Sequence, residues 1–301
     1  MLPINKLNKI ARFLHLKGLV KRSIEKPRRG NRQFELKKFK DLRAERIFVD
    51  GYACITAESG ENASPHIIFL HGGAYVAEGL LFHRKFMEKL IKEYAMRVTY
   101  LDYPLAPEND AKKTQAVLFE AYEILTKKYE KDEFVLLGDS AGGGLALAFL
   151  QTLAKRGGKM PQKTVLLSPW VDVSMSHPMA AEYEKKDPTL SIEALLYAGK
   201  EYARELPLND PSISPIFGNF DGLGEIFVTV GESELFYPDC ISLKERADKA
   251  KNTAMTLAVF ENMFHDFIMT PVRESEIGCR LIAQFLKGET FGAEEGVKII
   301  G

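Results

Sequence analysis

The chain has 301 residues, of which 46% are apolar and 27% charged, a composition typical of a soluble globular protein with a sizeable core. Its 41 basic and 41 acidic residues cancel, and the absence of any run of about 18 apolar residues excludes a transmembrane helix. Cys54, Cys240 and Cys279 are far apart, which excludes a disulfide framework and, without a signal peptide, predicts a cytoplasmic protein.

The first 46 residues form a basic arm, with 15 Lys or Arg against 4 Asp or Glu. Ile4, Leu7, Ile10, Ala11 and Leu14 lie at helical spacing and predict an amphipathic helix with a basic opposite face. The arm could touch an anionic membrane surface weakly, be solvated, or cover part of the protein. No zinc-ligand spacing, RNA-binding motif or helix-turn-helix pattern accompanies it, so we expect no metal and no nucleic-acid partner.

Strand and helix patterns alternate after this arm. Asp50-Gly51 predicts a hairpin turn between strands 46–49 and 52–56. Buried strands are then predicted at 67–70, 98–101, 134–137, 165–167, 226–230 and 255–260, and helices at 83–94, 110–129, 142–156, 238–251 and 273–286. Continuous apolar runs of this kind are typical of strands covered on both faces, so the chain predicts a mostly parallel α/β sheet.

The first motif with chemical meaning is His71-Gly72-Gly73-Ala74-Tyr75, directly after the strand at 67–70. Acyl transfer places negative charge on a carbonyl oxygen, which backbone N–H donors stabilise. We expect Gly72 and Gly73 to supply two donors and Ala141 a third, forming an oxyanion hole. His71 itself is interpreted as a structural hydrogen bonder within this turn.

The second motif is Gly138-Asp139-Ser140-Ala141-Gly142, between a predicted strand and a predicted helix. It matches the G-x-S-x-G nucleophile turn, in which the glycines allow close backbone contacts around an exposed serine. Ser140 is therefore the predicted nucleophile. The alternative is a glycine-rich turn without chemistry, or one that holds a phosphate.

An insertion at about 174–219 interrupts the alternation and contains one predicted helix, 192–204. Connections of this length are uncommon unless they have a function, such as covering a site.

The last two candidate catalytic residues follow the last two predicted buried strands. Glu234 lies in the loop after 226–230, and His265 lies in the loop after 255–260. The order Ser140, Glu234, His265 is that of an α/β-hydrolase triad, with His265 as base and Glu234 as its acid. Asp239 is a competing acid, but it follows Pro238 in a first helical turn, where the helix dipole alone would favour a carboxylate.

Taken together, these motifs resemble the hormone-sensitive lipase family of α/β-hydrolases, in its bacterial esterase branch. The resemblance covers about 65–286 and rests on HGGAY at His71, YPLAPE at Tyr103, GDSAGG at Gly138 and the loop of His265. It implies an eight-stranded sheet flanked by helices, a helical cap and action on short acyl esters.

Two positions depart from the family pattern. Ala74 replaces a third glycine, and we do not expect the N–H at this position to donate to the oxyanion. The second departure is Glu234-Leu235-Phe236, which occupies the place where Asp-Pro-Leu is common.

The sequence therefore predicts one α/β-hydrolase domain over 1–301, with a cap formed by about 1–44 and 174–219. The predicted activity is a cofactor-free serine carboxylesterase whose substrate, a small ester, would contact Tyr75 and Phe82. The alternatives are an amidase or deacetylase on the same triad and a ligand-binding protein without catalysis. The sequence leaves open whether the protein is a homodimer.

Overall fold

The computed structural model describes residues 16–27, 29–30, 33–60 and 63–301. The predicted apolar helical face at Ile4 to Leu14 lies outside these residues. Within them, no helix is both long and apolar enough to cross a membrane.

A nine-stranded sheet forms the centre of the molecule, in the order β1-β2-β4-β3-β5-β6-β7-β8-β9. The strands are β1 Arg43–Val49, β2 Tyr52–Glu58, β3 His66–Leu70, β4 Arg97–Leu101, β5 Phe134–Asp139, β6 Lys163–Leu167, β7 Gly224–Gly231, β8 Thr253–Phe260 and β9 Val297–Ile300. Six neighbouring strands pair in parallel, namely β4, β3, β5, β6, β7 and β8, while β1, β2 and β9 pair antiparallel. The predicted hairpin forms, with Val49 opposite Tyr52.

Eight α-helices are described. They are α1 Leu16–Glu25, α2 Leu81–Tyr94, α3 Ala111–Lys128, α4 Ser140–Arg156, α5 Ala180–Lys186, α6 Ile192–Ala203, α7 Tyr237–Ala247 and α8 Arg273–Lys287. All five helices predicted between the strands are present, with ends that differ by a few residues.

Both faces of the central strands are buried, and successive residues of one strand enter opposite cores. Leu136 packs on the face covered by α3, α4 and α7, whereas Val135 and Leu137 pack on the face covered by α2 and α8. This alternation is a consequence of the two-residue period of a strand. It explains why the central strands are mostly apolar on both faces.

The implied eight-stranded sheet is wrong by one strand. β9 adds to the edge of β8, with Leu257 opposite Ile300. Its sequence, Val297-Lys298-Ile299-Ile300, is only four residues long and follows a segment rich in Gly and Glu, so its apolar run is too short to predict a strand by itself.

The insertion between β6 and β7 contains α5 as well as the predicted α6. Helix α1 packs against α6, and Lys21 forms an ion pair with Glu193 at 2.5 Å. Lys17 also donates to the main-chain oxygen of Glu184 at 2.7 Å. The described part of the basic arm therefore contacts the insertion directly.

Candidate active site

Ser140 is the first residue of α4, at the sharp turn that follows β5. Its φ of 50° lies in the left-handed region, a conformation that non-glycine residues adopt at an energetic cost and mostly at functional sites. The turn requires glycine on both sides, because a Cβ on Gly142 would overlap the carbonyl oxygen of Leu70, and one on Gly138 would overlap that of Gly142. The serine hydroxyl is thus held at the carboxyl edge of the sheet.

The side chains of His265 and Glu234 meet at this serine. His265 Nε2 lies 3.0 Å from Ser140 Oγ, and His265 Nδ1 lies 3.5 Å from Glu234 Oε2. If the serine hydroxyl donates to Nε2, the ring proton is on Nδ1 and faces the carboxylate. The 3.5 Å distance is long for a hydrogen bond, as catalytic contacts often are without substrate.

Electrostatics favour a charged histidine in this place. Burial lowers the pKa of His265, but the carboxylates of Asp266 and Glu234 outweigh it and hold that pKa well above its ordinary value. Burial also raises the pKa of Glu234 to about 7, against the opposing effects of His265 and of the hydroxyl of Ser168. The neighbouring carboxylates therefore favour the charged form of His265, while burial opposes the charged form of Glu234.

Asp239, the competing acid, lies in the first turn of α7. Its side chain is buried, and burial together with the nearby Asp172 raises its pKa to about 8. Of the two candidate acids, only Glu234 contacts His265 in the described structure. The helix dipole is therefore not the only influence on Asp239, because burying a carboxylate beside another one carries an energetic cost.

The predicted role of Gly72 in the oxyanion hole needs correction. Its N–H donates to Asp139 Oδ2 at 2.9 Å, so this donor is already used. The same carboxylate oxygen lies 3.2 Å from His83 Nε2. Leu80 N–H donates to His83 Nδ1 at 2.8 Å, which leaves the proton of a neutral ring on Nε2.

The N–H groups of the next two residues, Gly73 and Ala74, are available to bind an oxyanion instead. Gly73 and Ala74 have φ of 116° and 53°, and the Gly73 carbonyl accepts from Val76 and Ala77 N–H, which closes a tight turn. Within the described ranges, no atom accepts from the N–H of Gly73 or Ala74. The amide of Ala141, in the first turn of α4, also lacks an acceptor within its helix.

This turn is held by hydrogen bonds from two other parts of the chain. Tyr103 Oη donates to the main-chain oxygen of His71 at 2.5 Å. Arg29 donates to the carbonyls of Val76 and Ala106. Burial lowers the pKa of His71 to about 3, so the ring is neutral, and its Nδ1 lies 2.7 Å from the Gly72 oxygen. His71 is therefore structural, as the sequence predicted.

Tyr75 and Phe82, the predicted substrate contacts, differ in their surroundings. The ring of Tyr75 is buried and stacks on Tyr202 of α6, with ring centres 3.8 Å apart, and lies 5.5 Å from Trp170. Phe82 is 38% exposed and packs against the ring of His83. Tyr75 thus belongs to an aromatic cluster below α6, whereas Phe82 lies at the surface.

Sequence reasoning missed several residues that support the site. Ser168 Oγ donates to Glu234 Oε2 at 2.8 Å, and Asp187 Oδ2 accepts from Leu235 N–H, one residue after the acid, at 2.8 Å. Asp266 lies 3.2 Å from His265 Nε2. Of these residues, only Asp266 could have been inferred from the sequence, because it directly follows His265.

The described residues contain no group of three or more His, Cys, Asp or Glu side chains arranged to hold a metal ion.

Comparison with known proteins agrees with this geometry. A sequence model of the α/β-hydrolase fold matches residues 67–269. An esterase of Acinetobacter venetianus is 32% identical over 210 residues, which are 69% of this chain and 69% of that protein. An acetyl-hydrolase of Streptomyces hygroscopicus is 29% identical over 200 residues, 66% of this chain and 67% of that protein.

Among solved structures, EstE5 soaked with p-nitrophenyl butyrate is 26% identical and superposes with a TM-score of 0.81, covering 95% of this chain and 97% of that one. The chain therefore belongs to the α/β-hydrolase family, and a hormone-sensitive lipase from a metagenome library, 24% identical, has the same fold, with a TM-score of 0.82. It is a carboxylic-ester hydrolase.

Proposed function

We propose that the protein hydrolyses small esters through an acyl-enzyme formed on Ser140, with His265 as general base and Glu234 as its acid. The observation that carries this proposal is the 3.0 Å contact between His265 Nε2 and Ser140 Oγ in a turn with a left-handed serine. A serine hydroxyl is weakly nucleophilic until a base takes its proton, and this geometry provides that base.

In the first step, Ser140 Oγ bonds to the ester carbonyl carbon while its proton moves to His265 Nε2. The negative charge on the carbonyl oxygen is stabilised by the N–H groups of Gly73, Ala74 and Ala141, and the imidazolium by Glu234. The C–O bond then breaks, and the Nε2 proton passes to the departing alcohol. Water then attacks the acyl carbon with His265 as its base. The bond to Ser140 Oγ breaks, Ser140 regains its proton from Nε2, and the carboxylic acid is released.

Replacing the nucleophile tests this mechanism. Ser140→Ala should lower kcat to about a thousandth of the wild-type rate or less, with only the oxyanion hole and binding left to act. A fluorophosphonate probe should label the wild-type protein and not the variant. Ser168→Ala is a matched control, since that buried serine contacts Glu234 and should still leave Ser140 labelled. Retained activity or labelling in Ser140→Ala would refute the assignment.

We also propose a preference for short acyl chains. The main-chain N–H of Trp170 donates to the carbonyl of Ser140 at 2.8 Å, so the aromatic cluster of Trp170, Tyr75 and Tyr202 lies near the nucleophile. Rings of this size would restrict the room for a long acyl chain. The name of the acetyl-hydrolase relative and the butyrate ester soaked into EstE5 agree with small acyl groups.

The test is kcat/KM for p-nitrophenyl esters from acetyl to palmitoyl. We expect a maximum at short chains, and a maximum at about twelve carbons or more would contradict the proposal. Tyr202→Ala should move the maximum toward longer chains, because it removes a large buried ring. Tyr197→Ala, an exposed tyrosine on the same helix, should leave it unchanged.

The single domain with a cap formed by about 1–44 and 174–219 also stays a proposal. It is supported by the packing of α1 on α6 and by Arg29, which links the basic arm to the loop of Val76 and to Glu108. A cap of this kind would close over the carboxyl edge of the sheet, where Ser140 lies.

A further inference from the structure

A second carboxylate lies beside the reacting nitrogen of His265. Asp266 Oδ2 is 3.2 Å from His265 Nε2, the atom that also contacts Ser140 Oγ. Asp266 adopts φ of 54°, and this left-handed residue turns the chain directly after the histidine. Its side chain is only 19% exposed, so water screens the contact weakly.

His265 Nε2 has two short contacts. Ser140 Oγ lies 3.0 Å from it with the geometry of a hydrogen bond, and Asp266 Oδ2 lies 3.2 Å from it, within ion-pair distance. A carboxylate at this distance attracts a positively charged ring.

We propose that Asp266 is a second electrostatic partner of His265, which stabilises the imidazolium from the side of Nε2 while Glu234 does so from Nδ1. Removal of Asp266 would then make the base easier to deprotonate. The inference rests on the proposed role of His265, but it concerns a different residue and can be measured separately.

The other described groups around the histidine do not place a negative charge beside Nε2. Glu234 faces Nδ1 from the loop after β7, Phe236 presents its ring at 5.0 Å, and Ser168 binds Glu234 from the loop after β6. Burial raises the pKa of Asp266 and His265 opposes this shift, while Asp139 of β5 and His83 of α2 add smaller effects of opposite sign. Among the described residues, Asp266 is the one carboxylate in contact with Nε2.

The test is the pKa of His265, followed by histidine NMR in a Ser140→Ala background, with the resonance assigned by His265→Ala. A carboxylate this close typically shifts a pKa by one unit or more. We expect the wild-type value above 6.5, the ordinary value for histidine. Asp266→Asn should lower it by about one unit or more.

The same change should move the acid limb of kcat/KM to lower pH in the active enzyme, because the neutral base must be present for attack. Asparagine tolerates a left-handed backbone, and Asp266→Gly removes the carboxylate with even less strain. Glu232→Gln, at an exposed position two residues before Glu234, is the control and should change neither readout.

A His265 pKa at or below 6.5 in the protein with Asp266 intact would overturn the proposal, even if both variants fail to fold. An unchanged pKa in folded Asp266→Asn would do the same. Full activity of Ser140→Ala would instead refute the proposed nucleophile, and the NMR titration would still decide the role of Asp266.

Discussion

At the scale of single residues, the site depends on where buried polar atoms find their partners. Glu234 has no solvent-exposed surface and shares one carboxylate oxygen between the hydroxyl of Ser168 and the ring of His265. A buried carboxylate is costly unless it is paired or hydrogen-bonded. His265 and Glu234 therefore stabilise each other, and Glu234 favours the positively charged form of the histidine.

The acid can be tested by a change that keeps its shape. Glu234→Gln removes the negative charge next to His265 Nδ1, and the loss should approach the roughly 10⁴-fold effect of the analogous change in a serine protease triad. The measurement is kcat for a p-nitrophenyl ester. Asp239→Asn is the control, because Asp239 does not contact His265 and should leave kcat close to the wild-type value.

The opposite pattern, in which Asp239→Asn silences the enzyme and Glu234→Gln does not, would show that the acid had been misassigned. Equal small effects of both changes would mean that neither carboxylate acts on the base.

At the scale of secondary-structure elements, the insertion between β6 and β7 is joined to the loop of the acid. Asp187, between α5 and α6, accepts from Thr189 and Leu190 N–H with Oδ1 and from Leu235 N–H with Oδ2. One buried carboxylate thus connects the insertion with the residue that follows Glu234. The position of the acid depends on a segment distant in sequence.

This connection predicts a loss of rate in Asp187→Asn. An amide has only one acceptor oxygen, so one of the two sets of N–H donors loses its partner, at a cost of about 1–3 kcal/mol. If the loop of Glu234 moves, kcat should fall about tenfold or more while KM changes little. Steady-state kinetics with a short-chain ester provide the measurement.

Asp210→Asn is the matched control for this change. Asp210 lies in the same insertion and accepts from the N–H and hydroxyl of Ser212, but it does not contact the loop of the acid. It should lower the melting temperature without lowering kcat. The same kcat loss in both variants would mean that the insertion acts only through general stability.

At the scale of the whole molecule, the sheet brings together loops from the carboxyl ends of three strands. Ser140 follows β5, Glu234 follows β7 and His265 follows β8, and these ends lie at one edge because the strands are parallel. The same burial that forms this core also encloses carboxyl groups. Global stability should therefore depend on their protonation.

Asp239 makes this dependence measurable. Its folded pKa of about 8, raised by burial and by Asp172, exceeds the unfolded value of about 3.9. The stability that this group contributes is present below pH 4 and is lost as the pH rises toward 8. Asparagine remains neutral throughout, so the melting temperature of Asp239→Asn relative to wild type should increase from pH 5 to pH 8.5.

Thermal unfolding at the two pH values provides the comparison. The contributions of other titrating groups to the melting temperature cancel in the difference, because both proteins contain those groups. Glu245→Gln, at an exposed position on the same helix, should show no such trend. A difference between Asp239→Asn and wild type that does not change with pH would contradict the buried, protonated state of Asp239.

The sequence by itself determined the alternating strands and helices, the hairpin and the serine turn. These features depend on local patterns, because a strand buried on both faces is apolar throughout and a tight turn needs glycine within a few residues. The order of Ser140, Glu234 and His265 predicted which loops meet at the sheet edge. The family resemblance suggested the enzyme class, and the relatives confirmed it.

Only the tertiary structure decided which polar groups are still available for chemistry. Gly72 lost its predicted role because Asp139, 67 residues away in the chain, accepts its N–H, and the choice of Glu234 over Asp239 depends on a contact with His265. Edge strand β9 likewise pairs with β8, whose residues lie far from it in the sequence. Hydrogen bonds and charge contacts between distant segments form when the chain folds, so no local pattern encodes them.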